Sequence, residues 1–161
     1  MESKKFLVTY FSCTNNTKKL AEKINEVVKG DLLQIKPETP YTQADLNWQD
    51  KNSRTTKEMA DKNSRPKVVN KIDNLAKYDV VMVGFPIWWY IAPTIVNTFL
   101  EQHDFSGKIV IPFATSGSSG EGETDKYLKP SCKGANYKPS KRFDVGVKKD
   151  DMKNGLKVYF K

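Results

Sequence analysis

Apolar runs rich in β-branched and aromatic residues recur along the chain, and the segments between them carry apolar residues at helical spacing. The first run begins at Phe6 and leads into small hydroxyl and amide residues as far as Thr17. Leu20, Ile24, Val27 and Val28 then follow at helical spacing, so this stretch reads as strand, tight turn, helix. Lys29-Gly30 reads as the C-cap of that helix, and Asp31–Lys36 as a short second strand closed by Pro37 and Pro40. Tyr41–Pro66 is a long polar excursion, helical in part around Thr55–Lys62, with Trp48 isolated within it. Pro66 is placed to open a helix carrying Val68, Val69, Ile72 and Leu75, which Lys77-Tyr78-Asp79 ends. Val80–Gly84 is almost wholly apolar, as expected of a central strand buried on both faces.

The second half repeats the alternation. Phe85–Pro93 is an aromatic loop, and Pro93 opens a helix with Ile95, Val96, Phe99 and Leu100. After the turn at Ser106-Gly107, Lys108–Ala114 is a fourth strand and Thr115–Gly120 a Ser/Gly loop. A helix starts within Glu121–Leu128, and Asn136–Val147 has room for a fifth, more exposed strand. Asp150–Phe160 is a last helix with Met152, Leu156, Tyr159 and Phe160 facing inward. Strands alternating with helices imply an α/β fold, a doubly wound five-stranded parallel sheet in the order 2-1-3-4-5 with helices on both faces. In such sheets ligands bind beyond the carboxyl ends of the strands, where the winding reverses between strands 1 and 3. The loops after strands 1, 3 and 4 are therefore expected to meet at one rim, all within a single domain spanning residues 1–161.

Each of those loops carries a chemical signal. In the first, Ser12, Cys13, Thr14, Asn15, Asn16 and Thr17 combine three hydroxyls with two residues that tolerate left-handed backbone angles. Hydroxyls, helix dipole and the unpartnered first-turn amides together can hold a phosphate dianion. An ordinary helix start capped by Thr14 or Asn15 is the competing reading. The sequence has neither the Gly-Lys-Ser/Thr ending of a Walker loop nor the glycine triplet of a dinucleotide fingerprint. In the second loop, Pro86, Ile87, Trp88, Trp89 and Tyr90 form an aromatic shelf between prolines, suited to stacking on a flat ring, with one Trp packed inward and Trp89 or Tyr90 nearest the ring. In the third, Thr115, Ser116, Gly117, Ser118, Ser119 and Gly120 let backbone amides approach a ring edge closely.

These motifs, in this order, resemble the flavodoxin family, most of all a bacterial branch with Gly-x-Pro-x-Trp-Trp after the central strand and Thr-Ser-Gly-x-Ser-Gly after the next. Here they read Gly84–Trp89 and Thr115–Gly120, and the likeness runs from about Lys5 to Gly122. The resemblance implies a flavodoxin-like fold and non-covalent FMN, its phosphate in the 12–17 turn and its ring between the other two loops. Asn15 stands where the family often has Gly. The implied work is electron transfer between redox partner proteins, a reductase and an electron acceptor. The alternative is an FMN-dependent reductase passing hydride from a nicotinamide to a quinone or similar acceptor, and a flavin-free binding module is a third class. Electron carriers of this family are usually acidic, whereas this chain carries a formal net charge of +8.

Seven basic residues and one acid lie between Lys129 and Lys149, and five acids and one lysine between Glu101 and Asp125. The acidic run is expected to flank the flavin edge and steer a basic partner. No nucleic-acid motif accompanies the basic charge, so no nucleic-acid partner is expected. No apolar run is long enough to cross a bilayer, and Met1–Lys5 leaves no room for a signal peptide before the first strand. Cys13 and Cys132 lie far apart in sequence, which favours reduced thiols and a cytoplasmic location; a monomer or weak dimer is expected. The helix dipole at Cys13 can lower its pKa, although a packing role is the simpler expectation. His103, the single histidine, sits in a polar turn and is expected to be a solvated surface residue. No Ser/His/Asp, Cys/His or metal-ligand constellation is present, so no catalytic or metal site is expected.

Overall fold

The computed structural model describes residues 4–116, 120, 122–144 and 146–159. Its first strands are β1 (Phe6–Tyr10), β2 (Asp31–Gln34), β3 (Val80–Pro86) and β4 (Ile109–Ser116), all parallel. The strand order is β2-β1-β3-β4 followed by a fifth lane, which is the expected 2-1-3-4-5. That lane is split. β5 (Asn136–Tyr137) pairs with the start of β4, and β6 (Lys141–Asp144) pairs with its end. Pro139 lies in the break, where it has no N–H for the ladder. The Asp125 carboxylate fills the gap, accepting from the Ser140 N–H at 3.2 Å and from the Tyr137 hydroxyl at 2.7 Å.

Helices cover both faces. On one, α1 (Asn16–Val28) and the late helix α5 (Lys149–Leu156) pack Leu20, Ile24, Met152 and Leu156 against Val8, Met82, Ile111 and Phe113. Gly155 lets α5 approach the sheet, since a Cβ there would lie 2.9 Å from the Phe143 ring. Tyr159 is half-buried against the same cluster, while Phe160 lies outside the described residues. On the other face, α3 (Thr94–Glu101) buries Ile95, Val96, Phe99 and Leu100 against Val81, Val83 and Phe85. Short helices α2 (Arg54–Ala60) and α4 (Thr124–Leu128) lie in the β2–β3 and β4–β5 connections. Gly30, expected to end α1, does something else: Lys29 takes the left-handed angle at φ 55°, and Gly30 lets the chain pass the Phe6 carbonyl, 2.3 Å from where its Cβ would be.

The helix expected from Pro66 is absent. Residues 66–72 form no helix; Asp73-Asn74 then turn, with Asn74 left-handed at φ 54°, into a short 3-10 turn at Leu75–Lys77. Val68 and Val69 are β-branched and favour an extended backbone. The segment lies along the chain leaving β2: Val69 N–H donates to the Lys36 carbonyl at 2.9 Å, and Glu38 N–H to the Lys67 carbonyl at 2.8 Å. Asn70 extends the pairing through its side chain, donating to the Gln34 carbonyl and accepting from Lys36 N–H. A helix would have left those edge groups of the sheet unpaired.

His103 also departs from expectation. It is half-buried, stacks obliquely on Phe99 and Phe105, and accepts the Ile72 N–H on Nε2 at 2.9 Å. Nδ1 must then carry the proton, donating to the Phe99 carbonyl at 2.8 Å. The ring thus ties the 66–72 segment to the end of α3, and only in its neutral form. Burial pushes its pKa below the ordinary 6.5. The unfolded chain therefore binds this proton more readily, and stability falls as pH drops through about 6.5. The urea midpoint should fall between pH 7.5 and pH 5.5, and His103→Asn should lower it at pH 7.5 while reducing that pH dependence.

Candidate functional site: a cavity at the carboxyl ends of β1, β3 and β4

Parallel register brings the ends of β1, β3 and β4 to one rim. The first loop turns sharply after Phe11, whose N–H donates to the Gly84 carbonyl at 2.9 Å. Asn15, at φ 70°, makes the left-handed step into α1, and its side chain makes no capping hydrogen bond. Asn15 therefore occupies the N-cap position through its backbone, its carbonyl accepting from Lys19 N–H at 3.0 Å, while its side chain stays out of the capping contact. Thr17 is buried and shares a 2.8 Å hydroxyl contact with Thr115 at the end of β4. Beneath the turn, the Ser12 hydroxyl is buried with no hydrogen-bond partner among the described residues. A buried unpaired hydroxyl costs about 1–3 kcal/mol, so its presence beside the free amides of a helix start fits an anion bound there.

The second loop is a tight reversal. Trp88 and Ile91 exchange backbone hydrogen bonds of 2.9 and 3.1 Å around Trp89 and Tyr90, whose φ values are 48° and 69°. Two-residue hairpin turns of this hand normally take Asn or Gly at both central positions. Here two bulky aromatics hold the left-handed geometry. The next connection clamps it: Glu123 N–H donates to the Tyr90 carbonyl at 3.0 Å, and a Cβ at Gly122 would lie 2.1 Å from that oxygen. The turn sorts the aromatics. Trp88 packs inward, edge-on to Phe11 and Tyr41 with ring centroids 5.6 Å apart, while Trp89 and Tyr90 stay exposed. Ile87 N–H bonds the Thr115 carbonyl at 3.2 Å, fixing the shelf to β4.

Together these loops and part of the excursion enclose a cavity of about 750 Å³. Of the residues singled out from the sequence, Cys13, Thr14, Asn16, Thr17, Pro86, Ile87, Trp88, Trp89, Tyr90, Thr115 and Ser116 line it. Ser12, Asn15 and Gly120 are not among the lining residues, and Gly117, Ser118 and Ser119 lie outside the described residues. Leu46, Trp48 and Thr55 of the excursion also line it. In the same excursion, the Arg54 guanidinium lies 3.7 Å over the Tyr41 ring and bonds Glu58 at 2.9 Å and the Thr39 carbonyl at 2.7 Å. The Tyr41 hydroxyl donates to the same Glu58 at 2.6 Å. From the sequence, the excursion could cover the flavin, and Trp48 could pack under it or reach a ligand; Leu46 and Thr55 carry no local signal because they are dispersed through a polar stretch.

Residues 5–158 match the family model described as Flavodoxin. The chain belongs to the flavodoxin family. Its fold is similar to that of a Bacteroides uniformis protein provisionally named a flavoprotein, with 44% identity and a TM-score of 0.90, covering 97% of this chain and 99% of that one. A Bacteroides eggerthii protein, also provisionally named a flavoprotein, matches at 44% identity and TM-score 0.87, covering 96% of each chain. A Lactobacillus acidophilus flavoprotein, solved in complex with FMN, shares the fold at 22% identity and TM-score 0.68, covering 87% of this chain and 93% of that one. No curated protein matches this chain.

The electrostatics of this flavodoxin-family site differ from expectation in two ways. Cys13 is not one of them: burial pushes its thiol up to about 12, in keeping with a packing role, with Arg54 pulling down and Glu58 pushing up more weakly. The acidic run does not flank the rim as a whole. Glu101 ends α3, far from the strand ends, bonded to Arg65 and Ser131, and Asp104 lies in the turn beyond it; Asp125 is spent on the split lane. A cation missed by sequence reading sits at the rim instead: Arg142 on β6 bonds the Ser116 hydroxyl at 2.8 Å and its carbonyl at 3.1 Å, and pairs with Asp144 at 2.6 Å. Neither cysteine is in a disulfide, no described helix is long and apolar enough to cross a membrane, and no metal-binding cluster occurs among the described residues.

The left-handed turn carries a measurable cost. A non-glycine residue at such an angle loses about 1–2 kcal/mol, and glycine gives back about 0.5–1 kcal/mol as freedom of the unfolded chain. Tyr90 is exposed, so little packing is lost on truncation. Tyr90→Gly should raise the stability of the ligand-free protein by about 0.5–1 kcal/mol in urea titrations, against the usual direction for a glycine substitution.

Proposed function

We propose that the protein binds FMN in this cavity and works as an electron carrier, a single-domain redox partner passing electrons from a reductase to an acceptor protein. The observation that carries the reading is the orphaned Ser12 hydroxyl beneath a left-handed helix start, which asks for an anionic ligand. In this reading the Ser12–Thr17 turn holds the phosphate, with α1 directing its dipole there. Trp88, Trp89 and Tyr90, with Pro86 and Ile87, bound one side of the ring, and Thr115–Gly120 contact its edge. Arg142 fixes the end of β4 at that side of the cavity by bonding the Ser116 hydroxyl and carbonyl. When bound, FMN supplies reversible one- and two-electron chemistry.

The carrier reading rests on what surrounds the cavity. Among the lining residues there is no Arg or Lys to clamp a nicotinamide phosphate. The formal net charge of +8 favours an oppositely charged redox partner at the docking stage. The excursion gives the cavity a second apolar side, which the reductase alternative would use as a substrate wall and the carrier reading as a screen over the flavin.

Two outcomes follow. Ser12→Ala should weaken FMN by roughly tenfold or more while changing riboflavin little, since a charge-assisted hydrogen bond carries about 1.5–3 kcal/mol. Equal affinity of the unaltered protein for FMN and riboflavin, measured by fluorescence titration, would overturn the phosphate assignment. Reduction of the loaded protein by NADPH alone should be slow, and fast reduction should need a reductase and weaken with salt. Turnover of NADPH with a quinone at tens per second by the isolated protein would favour the reductase.

A further inference from the structure

Trp48 has no counterpart in the three-loop reading of the site. It is 68% exposed, yet it lines the cavity beside Leu46. Large exposed apolar side chains are few among the described residues, and Trp48, Trp89 and Tyr90 all line this one cavity. The two walls come from unrelated parts of the chain, so their meeting is not a product of one local packing preference.

The turn that carries Trp48 is fixed. Thr42 N–H donates to Asp45 Oδ2 at 2.9 Å, and Asp45 N–H donates back to the Thr42 hydroxyl at 3.1 Å. Leu46 N–H bonds the Thr42 carbonyl at 3.2 Å. The Thr55 hydroxyl and N–H both donate to the Asp45 carbonyl, at 2.7 and 3.1 Å. Through Arg54 and Tyr41 the turn is braced against Phe11 and Trp88, which belong to the inner wall. The backbone leading to Trp48 is thus fixed, and it presents the indole at the cavity mouth with most of its surface open to solvent.

We propose that Trp48 is a specificity-determining residue: it closes the solvent side of the cavity and keeps small hydride donors from a flavin bound there, leaving electron exchange with partner proteins. The inference rests on the FMN reading given above and adds to it a residue outside the phosphate, shelf and edge loops. Trp48 acts by occupying space and by contact with the ring system. It exchanges no proton and needs no further reactant.

The test uses the FMN-loaded protein and its Trp48→Ala and Trp48→Phe variants, which the exposure of Trp48 should leave folded. Three quantities are read: the FMN dissociation constant, quenching of residual flavin fluorescence by iodide, and the stopped-flow rate of reduction by NADPH. In Trp48→Ala, iodide quenching and the NADPH rate should both rise. FMN affinity should fall by no more than about tenfold, the limit of one aromatic contact. Trp48→Phe should restore most of all three. Unchanged iodide access and an unchanged NADPH rate in Trp48→Ala, with FMN still bound, would overturn the proposal and leave the FMN reading standing. Failure of the unaltered protein to bind FMN at all would overturn both.

Discussion

A buried hydroxyl pair, Thr17 against Thr115, joins parts of the chain 98 residues apart and sets the geometry on which the site depends. One partner opens α1, and the other ends β4. Both are buried at the floor of the cavity, where an unmatched hydroxyl would be costly, so the pair tolerates little displacement of helix against strand. The parallel register does the rest. Pro86 lies level with Thr115 across β3 and β4, so the aromatic turn and the Ser/Gly loop leave the sheet side by side. The left-handed Trp89-Tyr90 turn can persist because this frame over-determines it: one end is bonded to β4 through Ile87, the other to the chain at Glu123.

The excursion after β2 solves two problems at once. A chain that ran straight through a crossover helix would have left the edge of β2 and the mouth of the cavity open. Here the first half of the insertion, organised by Arg54, Tyr41 and Glu58, builds the outer wall. The second half runs extended beside Lys36 and Glu38 and is pinned by His103 at its far end. The wall is held by a charged cluster on an aromatic ring, half-buried and therefore only partly screened.

Much of this was legible in the sequence. The continuous apolar run at Val80–Gly84, the period of Leu20, Ile24 and Val27, and the order of the loops gave the sheet and the rim, because those signals come from the core. The inward Trp88 and outward Trp89 and Tyr90 follow from a single aromatic run forced through a reversal. The misreadings share a cause. Val68, Val69, Ile72 and Leu75 have helical spacing, but tertiary pairing with the edge of the sheet decides their backbone. His103, Arg142 and Trp48 take their roles from partners 26 or more residues away, or from a cavity wall that no local pattern announces. Cys13 sits at a helix start, yet burial outweighs the dipole.

The split fifth lane has a consequence for the fate of the protein in a crowded solution. An unbroken outer strand would present a row of free amides and carbonyls to any other extended chain. Here that border is two short segments offset by Pro139, with Lys138 and Lys141 on either side of the gap and Asp125 occupying it from within. A second sheet cannot find a continuous ladder to extend, and like charge repels its approach. The proline that interrupts the lane thus guards against edge-to-edge aggregation at the sheet border beside β4.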